Sequence, residues 1–227
     1  LKALSVPRRD DPPKPAAYVE AHIEQGPILE AKGLQIGAVT LVQGSRRYTI
    51  EIIGEEAHAG TTPLKARKDA MKAGAAIVLA LEEAFEDPSD TVRYTVGRFE
   101  VFPGSANTVP GRVFFTIDFR HPDKETLVRL TDRIEGIAKA NARGCEISVK
   151  RISDVSPTPF DPAVVGLVQD MAKALSLPSH AMISGAGHDA MHVAHLCPTG
   201  MIFVPCGRGI SHNEAESATP ADLAAGA

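Results

Sequence analysis

The sequence predicts an α/β chain with a smaller α+β sandwich inserted into it, and three observations carry that prediction. Between residues 47 and 152 the apolar spacing switches between strand and helix in the order β-α-β-β-α-β. Thr199–Val204 is a continuous apolar run, the kind buried on both faces of a parallel sheet. A strand at Tyr18–Ile23 stands before the sandwich and suits the same sheet as that run.

Taken in order, Leu1, Leu4 and Val6 form an apolar turn ahead of a Pro-rich loop, and Leu1–Pro15 has no charged-then-apolar leader, so no signal peptide is expected. Gly26-Pro27 opens a helix that Gly33 closes. Arg47–Ile53 is a strand built on Tyr48, Thr49, Ile50, Ile52 and Ile53, which all favour extended backbone. Lys65–Glu86 is a helix, with Ala70, Ala73, Ile77, Val78, Leu81 and Phe85 on one face; Gly74 costs it some stability. Val92–Val101 alternates through Val92, Tyr94 and Val96. Arg112–Arg120 alternates Val113, Phe115, Ile117 and Phe119 against Arg112, Thr116, Asp118 and Arg120. Asp123–Ala142 is a second helix, with Leu127, Leu130, Ile134 and Ile137 inward, and Cys145–Ile152 returns as a strand. This is the ferredoxin-like order, with both helices on one face of an antiparallel sheet.

Beyond it, Pro162–Leu175 reads as a helix, His180–Ile183 as a short strand and His188–His195 as a short helix before Thr199–Val204. Ser217-Ala-Thr-Pro-Ala-Asp-Leu reads as a cap with Pro at the first helical position, and that helix meets Ala227 about two turns in. The expected division is an α/β domain contributed by residues 1–35 and 155–227, interrupted by the sandwich at 36–154. The chain is expected to be cut at both ends.

Composition narrows the function. Hydrophobic residues at 44% and charged residues at 23% of 227 exclude disorder as a description of the whole chain. With 24 Lys+Arg against 28 Asp+Glu, the net charge of −4 and the lack of basic runs argue against a nucleic-acid partner. Apolar stretches such as Ala75–Leu81 are too short to span a bilayer, so no membrane partner is expected. Cys145, Cys197 and Cys206 form neither a CxxC pair nor an even-numbered framework, which favours a reducing, cytoplasmic setting and buried thiols.

Four of the eight histidines stand at strand ends or in the loops after them: His22 in His-Ile-Glu-Gln-Gly-Pro, His58 in Ala-His-Ala-Gly-Thr-Thr-Pro, His188 in Gly-Ala-Gly-His-Asp-Ala, and His212 in Gly-Ile-Ser-His-Asn-Glu. Singly, each is more readily a hydrogen-bonded structural histidine; together, in places where α/β sheets build sites, they favour a site. His121, His180, His192 and His195 sit in turn or helix-surface contexts and read as structural. Gly185–Ala190 fits a dinucleotide fingerprint, but the next strand ends Pro205-Cys206-Gly207-Arg208 without the acid that holds a ribose, so a nucleotide is not expected. No G-x-S-x-G elbow is present for a nucleophilic serine. Asn107, in Ser-Ala-Asn-Thr-Val-Pro-Gly, is compatible with plain turn chemistry, and Arg120 beside Asp118 with a surface ion pair. The residues alone support a metal or acid/base site.

The four histidine phrases, in this order around an inserted sandwich, resemble the hydantoinase/carbamoylase branch of the di-zinc, aminoacylase-like metallohydrolases. The resemblance covers essentially the whole chain, and His22-Ile-Glu-Gln25-Gly-Pro is its most specific part. It implies that His22 is a ligand of one zinc and His212 of the other, with manganese, cobalt or nickel as possible substitutes. It implies that Gln25, Arg120 and His188 bind substrate, Arg120 through the substrate carboxylate, and that His58 and Asn107 stabilise the tetrahedral intermediate. The implied reaction is hydrolysis of the ureido C–N bond of N-carbamoyl-L-amino acids or related ureido acids. The implied partner is a second copy of the chain, paired through the sandwich acting as lid and dimerisation domain, with His58 and Asn107 reaching the partner's site.

The family pattern also has upstream ligands: a histidine, a bridging aspartate and a glutamate beside the glutamate general base. No candidate for them precedes His22. The expectation is therefore a piece lacking the N-terminal part of the catalytic domain, inactive by itself and retaining no zinc. Two alternatives remain open: a dimerisation module without activity, and an aminoacylase or peptidase of the same superfamily, which Gln25 and His22 oppose.

Overall fold

A computed structural model describes residues 15–227, so the expected turn at Leu1, Leu4 and Val6 lies outside the described residues. The chain divides into two compact units: Leu1–Val42 with Thr158–Ala227, and Gln43–Pro157.

The first unit opens with β1 (Tyr18–Ile23), α1 (Ile28–Lys32) and β2 (Ile36–Val42). Gly33 ends α1 in the left-handed conformation (φ 64°), and its N–H returns to the α1 carbonyls, as the Gly-Pro…Gly spacing predicts. β2 was not anticipated, and it moves the start of the insertion from residue 36 to 43. Its apolar sequence Ile-Gly-Ala-Val-Thr-Leu-Val is buried in the first unit's sheet, between the strands Thr199–Val204 and Ser179–Ser184.

The inserted unit comprises β3 (Gly44–Ile53), β4 (Ala57–His58), α2 (Ala70–Ala84), β5 (Arg93–Phe102), β6 (Thr108–Val109), β7 (Arg112–His121), α3 (Lys124–Thr131), α4 (Ile134–Ala140) and β8 (Glu146–Val155). Its sheet has the order β5-β7-β3-β8, antiparallel throughout. Tyr48, Ile50 and Ile52 of β3 share one core with Val113, Phe115, Ile117 and Phe119 of β7 and with apolar residues of all three helices, so the helices cover a single face. Gly74 has a packing reason inside α2: a Cβ there would lie 3.0 Å from the Phe99 ring and 3.2 Å from Val113 Cγ1.

Two helices depart from expectation. The first begins at Ala70 rather than Lys65, because Asp69 takes the N-cap by accepting from Lys72 N at 3.1 Å; residues Leu64–Ala66 form only a 3-10 turn. The helix expected over Asp123–Ala142 is broken into α3 and α4. At the break the Thr131 hydroxyl donates back to Leu127 O at 2.6 Å, while buried Arg46 donates to Thr131 Oγ1 at 3.0 Å and to Asp132 at 3.2 Å. Arg46, which the sequence left outside its strand, also bonds Asp154 and so ties β3 to both α3 and β8.

The chain then returns to the first unit through β9 (Thr158–Pro159), α5 (Pro162–Ala174), β10 (Ser179–Ser184), α6 (Ala190–Val193), β11 (Thr199–Val204) and α7 (Pro220–Gly226). α7 has the Thr219 cap and Pro220 that its sequence predicts. The sheet order is β1-β11-β2-β10, with β9 against β2. β11 pairs parallel with β1 but antiparallel with β2, so this sheet is mixed rather than parallel. Leu29, Val165, Val168 and Ala190 from α1, α5 and α6 pack with Val39, Met201 and Phe203 of its strands. No described helix is long and apolar enough to cross a membrane.

Candidate active site

In the first unit, β1 presents Glu20 and His22 on the same side, two residues apart on the pleat. His22 lies opposite Phe203 in the β1–β11 register. The loop after β10 brings His188 to the same place: its ring lies edge-on to His22 with centroids 4.7 Å apart, and 5.5 Å from the Phe203 ring. His188 Nε2 is 2.8 Å from Ser184 Oγ, and its Nδ1 is 3.8 Å from Glu20 Oε1. Burial, reinforced by the neighbouring His22 ring, pushes His188 down to about 4, so it is neutral at pH 7.

His22 Nδ1 donates to Ile23 O at 2.8 Å, which places the ring's remaining lone pair on Nε2. This is the arrangement found in metal-ligating histidines, whose second nitrogen donates to a carbonyl or carboxylate that fixes the ring. His22 therefore has the donor geometry of a metal ligand through Nε2. Among the described residues no three His, Cys, Asp or Glu side chains converge on a common metal position.

The next loop explains the rest of the His22 phrase. Buried Glu24 caps α1, its two carboxylate oxygens accepting from Ile28 N at 2.8 Å and Leu29 N at 2.7 Å. Gln25 adopts φ 58° and donates from Nε2 to Ser211 Oγ at 2.8 Å, and His212, the next residue, has φ 55°. Gly209 (φ 64°) lies so close that a Cβ would meet Gly26 C and Pro27 N at 2.8 Å each. Glu30 accepts from Arg208 N at 2.7 Å. The segment that follows His22 and the loop that carries His212 are thus joined at several points, and His212 itself is exposed.

In the inserted unit, β4 and β6 form a two-stranded ribbon that places His58 opposite Thr108, with Ala59 N donating to Asn107 O at 3.0 Å. His58 and Asn107 are therefore neighbours. His58 Nδ1 accepts from Gly60 N at 3.0 Å and Thr61 N at 3.2 Å, so the neutral ring carries its proton on Nε2. Asn107 Oδ1 accepts from Ser105 Oγ at 2.9 Å, leaving donation to the amide nitrogen.

Arg120 stands on β7 and not on this ribbon. Its Nε and Nη2 donate to the two oxygens of Asp118 at 2.8 and 3.0 Å, and Arg47 donates to the same carboxylate at 2.8 Å. Burial alone would raise the Asp118 carboxyl; the Arg120 and Arg47 bonds outweigh it and hold the group below its ordinary range. His121 is buried, with Asp123 N donating to its Nδ1 at 2.9 Å, as its structural reading requires. Cys145 and Cys206 are buried free thiols, and Cys197 is half-buried.

Glu20, Ser184 and Ser211 were not singled out from the sequence. Glu20 carried a usable signal, standing two residues before His22 on a strand; Ser184 and Ser211 carried none, because their partners are set by loop geometry.

A two-domain α/β architecture whose inserted sandwich bears its own polar ribbon, and whose main sheet bears paired imidazoles, defines the class of protein. The chain belongs to peptidase family M20/M25/M40, whose profile matches residues 4–227. It is 40% identical over 198 residues to the N-carbamoyl-L-amino-acid amidohydrolase of Paenarthrobacter aurescens, covering 86% of this chain and 48% of that protein. It is 40% identical over 212 residues to the allantoate amidohydrolase of Escherichia coli K12, covering 92% and 52%. The crystal structure of a hydantoinase/carbamoylase family amidase from Burkholderia multivorans superposes with a TM-score of 0.87 at 46% identity, over 92% of this chain and 52% of that one. These matches agree with the branch that the histidine phrases resemble. The chain spans about half the length of the curated relatives it matches. A tripeptidase from Staphylococcus aureus, at 20% identity and TM-score 0.72, shares the fold alone.

Proposed function

We propose that the protein to which this chain belongs is a metal-dependent amidohydrolase that cleaves the linear ureido C–N bond of N-carbamoyl-L-amino acids or related ureido acids such as allantoate. The observation that carries this reading is the His22 ring, bonded at Nδ1 to Ile23 O so that Nε2 is available as a ligand. The names of relatives at 40% identity support the substrate class. In this reading His22 holds one zinc and His212 a second; when bound they supply a polarised carbonyl and an activated water. The residues of this chain then bind and orient. The His58 Nε2–H and the Asn107 amide donate to the oxygen that gains charge. The Arg120 guanidinium, oriented by Asp118 along its Nε and Nη2 edge, presents its positive charge to the substrate carboxylate. Gln25 and His188 complete the substrate shell.

His22 and His212 provide each zinc with one nitrogen, whereas catalytic zinc sites take about three protein ligands. The reading therefore assigns turnover to the whole protein, and to this chain alone neither turnover nor tightly held zinc. It also has two copies pairing through the inserted unit.

The test is an assay of the whole protein before and after chelation, reading ammonia release from N-carbamoyl-L-amino acids and allantoate and newly freed α-amino groups from N-acetyl-amino acids and tripeptides. Turnover of the first two, lost on chelation and restored by zinc or manganese, supports the reading. Turnover confined to acetylated or peptide substrates overturns it.

A further inference from the structure

His58 stands at the head of a loop that packing does little to hold. His58, Ala59, Gly60 and Thr61 are all exposed, and none of them belongs to the sandwich core. Hydrogen bonds give the loop its shape. Thr62 N donates to His58 O at 3.2 Å, and Ala59 N to Asn107 O at 3.0 Å. Gly60 N and Thr61 N converge on His58 Nδ1 at 3.0 and 3.2 Å. The ring lies so close to this turn that a Cβ on Gly60 would meet its Cε1 at 3.3 Å and its Nδ1 at 3.4 Å. Both the orientation of the ring and the place of its proton are therefore set by residues 59–62.

One side chain clamps that stretch. The half-buried Arg67 donates from Nε and Nη2 to Thr62 O at 3.0 and 2.8 Å, and from Nη2 to Ala59 O at 2.6 Å. The 3-10 turn Leu64–Ala66, opened by Pro63, ends with Arg67 in extended backbone, and its side chain reaches back to carbonyls five and eight residues earlier. Bonds from a cation to these carbonyls are stronger than bonds between neutral groups. Ala59 and Thr62 bracket Gly60 and Thr61, whose N–H groups hold the ring. A planar fork that bonds both carbonyls fixes their separation, and with it the two donors between them.

We propose that Arg67 is a positioning residue, which locks residues 59–62 in the turn that fixes the His58 ring as an Nε2–H donor. The proposal rests on the reading of His58 as a donor to the oxygen that gains charge, and it deepens that reading by naming what holds the donor still. A donor stabilises a transition state through being already in place, so a loop free to move would forfeit part of what His58 supplies.

Two measurements test it. In the 227-residue chain, amide exchange at Gly60 and Thr61 should quicken roughly tenfold in Arg67→Ala, while amides of α2, which report the fold, stay unchanged. Arg67→Lys, the milder variant, keeps the charge without the fork and should give a smaller rise. In the whole protein, Arg67→Ala should lower kcat on an N-carbamoyl-L-amino acid roughly tenfold with KM little changed. That loss should shrink to less than about threefold when His58 is already alanine, because no ring remains to be positioned. Unchanged exchange at Gly60 and Thr61 in both variants overturns the proposal. So does a loss confined to KM, which would put the guanidinium on the substrate, and so does an equal loss with and without His58. His58→Ala that leaves kcat untouched, beside quickened exchange in Arg67→Ala, would remove the oxyanion reading and keep the clamp, so the two failures are distinguishable.

Discussion

Gln25 and Ser211 are 186 residues apart in sequence and hydrogen-bonded at 2.8 Å, Nε2 donating to Oγ. This bond fastens the loop that follows His22 to the loop that bears His212. Both Gln25 and His212 hold positive φ, a backbone region that non-glycine residues enter only when surrounding contacts over-determine it. Ser211→Ala removes one such contact and should weaken the joint by about 1 kcal/mol. Amide exchange in residues 207–213 should then quicken by roughly fivefold, with the inserted unit's amides unchanged. Equal protection in both proteins would show that Gly209 and Glu30 hold the loops without it.

The Asp118 carboxyl predicts a pH dependence. Its folded-state pKa lies below the ordinary 3.8 because Arg120 and Arg47 outweigh burial. A depressed carboxyl stabilises the fold above its unfolded pKa and loses that contribution as pH falls through the folded value. Asp118→Asn should thus cost about 1 kcal/mol at pH 7, and the gap between the two proteins should narrow as the pH falls below the ordinary 3.8 and through the depressed folded value in urea titrations. A gap that persists at low pH would place the effect in packing.

Arg120→Lys keeps the charge and loses the planar fork. For carboxylate-bearing ureido substrates of the whole protein, kcat/KM should fall at least about tenfold, or ~1.4 kcal/mol. An equal fall for a ureido amide without the carboxylate would mean that Arg120 serves to hold Asp118 and not the substrate.

His58 presents Nε2–H because two backbone N–H groups occupy Nδ1. Removing one oxyanion donor costs about a hundredfold or more in kcat, so His58→Ala in the whole protein should fall by that order with KM little changed. A change confined to KM would reassign His58 to ground-state binding.

Pairing through the inserted unit is checked by sedimentation of the 227-residue chain. A dimer is expected at micromolar concentration, and a monomer would count against it. If His58 and Asn107 act on the partner's site, mixing whole-protein His58→Ala with a variant lacking its base should restore part of the activity. Failure of formed mixed dimers to do so would place both residues in their own subunit's site.

The sandwich was legible because its signals are local. Alternation in Arg112–Arg120 and helical spacing in Ala70–Leu81 follow from side-chain direction along one element, so the order and the antiparallel sheet could be read in sequence. The caps at Gly33 and Thr219 are local in the same sense. β2 was missed because Ile36–Val42 carries no alternation: both its faces are buried, and only the strands pairing on either side identify it. The break between α3 and α4 was missed because Arg46, 85 residues before Thr131, helps to make it.

The candidate site divides the same way. The sequence determined which residue types stand where, and the four histidine phrases were enough to indicate a family. Only the tertiary structure decided which nitrogen of each ring is engaged: Nδ1 of His22 by Ile23 O, Nδ1 of His58 by Gly60 and Thr61, and Nε2 of His188 by Ser184. An imidazole's role as ligand, donor or acceptor depends on where its one proton sits. That position is set by hydrogen-bond partners a few ångströms away in space, which spacing along the chain does not encode.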